Sequence, residues 1–231
     1  MACKQAALPD EKACSEGVTG VDERASRLEA LQPPRVVAER THANLSRIPA
    51  LIKFNEQHDI FIDRSVDTGD IDNNLDDNAV RQKIRDEYLR DSSVTIVLIG
   101  TETGHRKHVD WEIYSSMYDG AVNKKSGILV INLPTIECTH YTASHGDEEK
   151  IKIYPETTSW VSVTKREEYE RYYRYMPDRI IDNLLNNKTK ISVTNWEKVT
   201  VENLRYLIDV TYEDRGECQY DLSRPMRRAN S

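Results

Sequence analysis

No apolar run in these 231 residues approaches the roughly 18–20 needed to cross a bilayer. A membrane-spanning helix is therefore not expected. The first residues lack a basic-then-apolar pattern, so the expectation is no export signal and a cytoplasmic chain. The four cysteines, Cys3, Cys14, Cys138 and Cys218, show no CxxC spacing. Free thiols in a reducing compartment fit better than a disulfide framework. Surplus basic charge is missing too. A formal net charge of -7 argues against a protein that coats nucleic acid, which needs Lys and Arg in excess on one face. A small anionic ligand needs only a few local cations and stays open.

Several motifs are also absent. Gly100-x-x-x-Gly104 is not followed by Lys-Ser/Thr, so it is no P-loop, and no GxGxxG follows a strand. Asp67–Asp77 is rich in aspartate but fails the EF-hand spacing. Counted from Asp70, Leu75 takes the glycine position and Arg81 the bidentate glutamate position. A solvated loop with a cap for the next helix is expected there. His105 with His108, and Cys138 with His140 and His145, match no common zinc spacing. No metal is expected.

What is present reads as a globular α/β chain, with 38% hydrophobic and 31% charged residues. Residues 1–40 contain the Pro33-Pro34 break and little strand-like alternation beyond Val36-Val37. They read as a poorly packed or disordered extension. Residues 43–54 carry an amphipathic pattern interrupted by Pro49. Asp59-Ile-Phe-Ile-Asp63 reads as a short buried strand ending in a carboxylate. Residues 78–90 place Val80, Ile84, Tyr88 and Leu89 at helical spacing. Val94–Ile99 is a continuous β-branched run, the pattern of a strand buried on both faces. Val109–Met117 reads as a helix and Ile128–Leu133 as a second two-sided strand. Residues 135–157 read as a long polar loop and Trp160–Val163 as a short strand. Residues 166–186 are helical with a break at Pro177. Ile191–Val193 and 199–212 suggest a last strand and a last helix. Buried strands alternating with helices imply a parallel sheet covered on both faces. Ligands of such sheets bind beyond the carboxyl ends of the strands, which singles out the loops after Asp63, Gly100 and Pro134.

The densest chemistry lies in Ile99-Gly-Thr-Glu-Thr-Gly-His-Arg-Lys-His-Val-Asp-Trp-Glu112. Small residues at 100, 101, 103 and 104 would let a ligand approach the backbone. Arg106 and Lys107 sit where a phosphate would meet a helix N-terminus, although both also suit a solvated surface. Glu112 beside Trp111 is a carboxylate held against an indole, a setting that raises a pKa. It also suits an ordinary glutamate favoured by the helix dipole. Asp63 at a strand end resembles a receiver phosphoacceptor in position, with support of the neighbouring loop as the plainer role.

Val-Thr-Ile-Val-Leu-Ile-Gly followed by Arg-Lys-His-Val-Asp-Trp-Glu-Ile resembles the TIR-like domain family of the Thoeris antiphage defence system. Asp59–Asp63, Asn132-Leu-Pro134 and the closing Tyr220-Asp-Leu-Ser-Arg-Pro-Met-Arg-Arg228 extend the resemblance over residues 55–231. It implies a flavodoxin-like, doubly wound parallel sheet with helices on both faces. The domain would occupy 41–231 and include a C-terminal helical extension. Family members open with a strand of the Phe-Ile-Ser-Tyr-His type. Arg35-Val-Val-Ala-Glu-Arg-Thr-His42 stands in that place here, so the first strand is expected to be weak or degraded.

The resemblance implies that Glu112 cleaves NAD at the nicotinamide–ribose bond to give an ADP-ribose-type nucleotide, linear or cyclic. Asp63, Gly100, Thr101, Arg106, Lys107 and Trp111 would form the NAD site. NAD is then a substrate, and no cofactor is expected. A downstream nucleotide-sensing effector and homo-oligomerisation are left open as partners, with no nucleic acid or membrane. The other function class is a TIR-like module that binds a protein or nucleotide without turnover.

Overall fold

A computed structural model describes residues 35–37, 56–57, 62–63 and 71–230, apart from 73, 91 and 122. All of these belong to one unit spanning 32–231. The amphipathic stretch 43–54 and most of the stretch 1–40 lie outside the described residues.

Five parallel strands form one sheet. They are β1 (Arg35–Val37), β2 (Ile62–Asp63), β3 (Val94–Ile99), β4 (Gly127–Asn132) and β5 (Ser192–Asn195). Their order across the sheet is β2-β1-β3-β4-β5. Among the described residues, the α-helices whose full range is seen are α1 (Asp77–Lys83), α2 (Lys107–Met117), α3 (Asp147–Ile153), α4 (Arg166–Tyr172), α5 (Asp178–Leu184) and α6 (Val201–Asp214). α1 runs on into a π-helical turn, Ile84–Tyr88. The architecture is the α/β parallel sheet that the strand and helix patterns predict, in the flavodoxin-like order that the family resemblance implies.

The two apolar runs behave as expected of interior strands. Every residue of β3 and β4 is buried. Val94, Ile96 and Leu98 join Leu129, Ile131 and the α6 residues Leu204 and Leu207 on one face. Val97, Ile99, Ile128 and Val130 meet Val109, Ile113 and Met117 of α2 and Ile180 and Ile181 of α5 on the other. Burying each such side chain stabilises the fold by about 1.5–3 kcal/mol, so this two-sided centre dominates the energetics. Among the described residues, no helix is long and apolar enough to cross a membrane.

Three local expectations change. β1 lies inside the stretch 1–40 that reads as an extension, yet it pairs with β2 on one side and β3 on the other. Three residues of backbone pairing are enough to seat it. Residues 147–153 form a helix where the sequence reads as loop; three acidic residues in its first turn and two lysines in its last suit the helix dipole. Trp160–Val163 makes no strand, because no backbone among the described residues pairs with it. The fifth strand is Ser192–Asn195, paired with β4.

α6 crosses the start of β4 at close range. A Cβ added at Gly127 would lie 2.5 Å from the Thr211 carbonyl oxygen and 2.6 Å from its methyl carbon. The obstruction includes rigid backbone, so Gly127→Ala is expected to lower stability by about 1–3 kcal/mol through overpacking. Urea unfolding would check this. A midpoint equal to wild type would mean that α6 moves aside freely.

Candidate functional site

β3 ends at Ile99, and the chain turns through Gly100–Arg106 into α2. Thr103 shapes this turn. Its hydroxyl accepts from the Gly100 N–H at 2.9 Å and donates to the Leu98 carbonyl at 3.3 Å. The Gly100 N–H is therefore engaged inside the loop. Thr101 is half-buried beside it. Gly104 is small for a packing reason. A Cβ there would come within 2.9 Å of the Tyr175 carbonyl oxygen, so its space is filled by the chain ahead of α5.

α2 is fixed along its whole length. The Lys107 N–H donates to the Asn230 side-chain oxygen at 3.0 Å, which satisfies one of the helix's open N-terminal donors. In the first turn, Asp110 is buried and forms a two-pronged pair with Arg179 of α5, at 2.8 and 3.1 Å. The Arg227 N–H donates to the same carboxylate at 2.8 Å. Arg179 also donates to the carbonyls of Arg224 at 2.9 Å and Pro225 at 3.1 Å. Trp111 is buried with Ile71, Val80, Ile84, Leu89 and Met226, and its indole N–H donates to the Arg227 carbonyl at 2.8 Å. At the far end, the buried Arg85 guanidinium donates to the carbonyls of Ser115, Tyr118, Asn123 and Lys124. Burial lowers the Arg85 pKa from its ordinary value. The closing segment 220–228 is thus a strap that locks α2 against α5.

Glu112 lies on a different stripe of α2. Its side chain shares the i, i+3, i+7 row with Val109 and Ser116; Ser116 accepts from Thr95 of β3 at 2.9 Å. Glu112 is only 2% exposed. Lys107 and Trp111, one turn apart, meet as a cation over an aromatic ring at 5.3 Å. Arg106 lines a cavity of about 250 Å³ together with Gly104, Asp110, Asp178, Arg224 and Arg227. Arg224 and Arg166 both bond Asp182. Burial alone would raise the Asp182 carboxyl, but these hydrogen bonds hold it below the usual range.

The fold therefore gathers Gly100, Thr101, Arg106, Lys107, Trp111 and Glu112 on one turn and one helix. Lys107 and Glu112 leave α2 on different sides, since five residues rotate a helix by about 140°. Asp63 stands apart. It is level with Val36 of β1, which is level with Ile96 of β3. That places its backbone two strands away, about 10 Å across the sheet, and four residues, about 13 Å, short of Gly100. The residues that sequence reasoning passed over are Asp110 and Arg179. Their signal was available: Asp110 is a charge between the core residues Val109 and Trp111, and Arg179 is a charge followed directly by the core residues Ile180 and Ile181.

Residues 37–137 match the family described as Thoeris protein ThsB, TIR-like domain. Over those residues the chain is similar to that family's TIR-like domain. The match runs from the last residue of β1 to the turn after β4 and takes in α2 with Glu112. It supports a role in antiphage defence. α5, with Arg179, and the 220–228 strap lie beyond the matched residues. No curated protein and no solved structure matches the chain.

Proposed function

We propose that this chain is an antiphage defence protein that cleaves NAD at its nicotinamide–ribose bond. The product is an ADP-ribose-type nucleotide, linear or cyclic, that signals to a nucleotide-sensing effector. The observation that carries this reading is the Glu112 carboxylate, 2% exposed on the helix that follows the central strand β3. As the bond breaks, its electron pair leaves with nicotinamide, which departs neutral from a cationic ring and needs no proton. The ribose carbon becomes oxocarbenium-like. A carboxylate removed from water acts on that charge with little screening. Attack by water gives ADP-ribose and a proton, and attack by a group within the nucleotide closes a ring.

The test follows nicotinamide release, with pure protein and in lysate from phage-exposed cells, for wild type and Glu112→Gln. Wild type turns over, and the variant does so about 10²–10³-fold more slowly. A wild type silent under both conditions would make the chain a binding module instead.

Arg106 and Lys107, between the end of β3 and α2, hold the pyrophosphate in this scheme. Replacing both with Ala should weaken NAD binding about 10-fold or more, as expected for losing charge-assisted contacts to phosphate. It should also flatten the salt dependence of the affinity. Unchanged binding by calorimetry would assign both to the solvated surface.

A further inference from the structure

The segment 157–164 reads Thr-Thr-Ser-Trp-Val-Ser-Val-Thr. Its alternation and its β-branched and aromatic content are those of a strand. Yet it has no strand partner. Among the described residues, the backbone N–H and C=O groups of 158–164 make no hydrogen bond within the protein. Ile151, Trp160 and Val161 are the large apolar side chains that stand exposed among the described residues. Two of them belong to this segment, Val161 at 83% and Trp160 at 37%. A cleft of about 840 Å³ runs beside it, lined by Thr142, Ala143, Tyr169, Leu184 and Asn187. An exposed ribbon with free backbone groups and apolar side chains is a template for strand addition.

The charge pattern selects the occupant. Residues 157–164 carry no charge, in a chain where 31% of residues are charged. Glu156, which also pairs with Lys198, precedes them, and Lys165 and Arg166 follow, Arg166 also pairing with Glu170, Asp178 and Asp182. Two copies laid antiparallel bring the acidic end of each to the basic end of the other, whereas a parallel arrangement would oppose like charges. Antiparallel pairing about a two-fold axis is also self-complementary. With Val161 opposite itself, Trp160 faces Ser162 and Val163 faces Ser159, so in these flanking pairs a large residue meets a small one.

We propose that residues 157–164 pair antiparallel with the same segment of a second copy of this chain, forming a two-fold dimer centred on Val161. The backbone groups of 158–164 supply the ladder, and the adjoining cleft receives apolar side chains of the partner. A single strand pair lies at the small end of interface sizes, so the dimer is transient and its population rises with protein concentration.

Sedimentation velocity on the full chain tests this across a concentration series. Wild type shifts from monomer towards dimer as concentration rises. Val161→Lys sets two ammonium groups face to face at the axis and leaves only monomer at the same concentrations. Because Val161 is exposed, its Tm stays at the wild-type value, which separates loss of the dimer from loss of the fold. Val161→Cys, opposite itself, forms an intermolecular disulfide under mild oxidation faster than wild type with its own four cysteines. A wild type that is monomeric throughout, a Val161→Lys dimer as strong as wild type, or no faster cross-linking of Val161→Cys would each overturn the proposal.

Discussion

Arg179→Met is expected to lower folding stability by about 3–5 kcal/mol, the cost of breaking a buried ion pair by removing one partner. Arg179 has no exposed side-chain surface. It uses four of its five N–H donors: two on Asp110, one on the Arg224 carbonyl and one on the Pro225 carbonyl. Met fills much the same volume but donates nothing. Asp110 would keep the Arg227 N–H as its remaining hydrogen bond, and two strap carbonyls would lose their partner. Since small domains are stable by only about 5–15 kcal/mol, this is a large fraction of the total. Guanidinium unfolding measures it, and limited proteolysis should show cleavage near 220–228 before the core opens. Removing both charges, as in Asp110→Leu with Arg179→Met, should restore part of the loss, because an apolar pair leaves no stranded charge. A single variant within about 1 kcal/mol of wild type, the range of an exposed pair, would show that the pair is solvated and that the strap is held by Trp111 and Met226 instead.

Glu112→Gln is expected to reduce NAD turnover by about 10²–10³-fold while leaving the fold intact, the range found when one transition-state electrostatic partner is removed. Gln keeps the shape and one carbonyl oxygen, so the site on α2 stays filled. What disappears is the negative charge that meets the oxocarbenium-like ribose. Because the interaction strengthens as charge develops, kcat should fall while the affinity for NAD changes little. Equal turnover by wild type and variant would place the catalytic group elsewhere. A fall in affinity with kcat unchanged would make Glu112 a group that holds the ribose hydroxyls.

How much of this was legible in the sequence follows from where the information resides. β3 and β4 were legible because burial on both faces demands unbroken apolar runs, and few other structures do. α2 was legible because Val109, Ile113 and Met117 recur every four residues. Position along the chain also made Glu112 visible, since ligands of parallel sheets gather where strands end and helices begin. The helix 147–153 was hidden because its buried residues are only Glu149 and Ile153, too few to set a period. Trp160–Val163 read as a strand because alternation reports local preference, whereas a strand needs a neighbour that only tertiary structure supplies. The apparent ligand-binding role of Gly104 gave way to the Tyr175 carbonyl for a similar reason, since close approach of distant backbone leaves no mark beyond the glycine itself. Asp110 and Arg179 lie 69 positions apart, and neither alone announces the other.

The strap also sets a timetable for biosynthesis. Asp110 waits for a backbone N–H that is 117 positions further along the chain. At about 5–20 residues per second, the ribosome needs roughly 6–23 s to travel that distance. Through that interval α2 is already made, but Asp110 and the Trp111 indole have yet to meet their partners at Arg227. A nascent chain in this state carries an α2 that is not yet anchored, and the helix is locked only when synthesis is nearly finished.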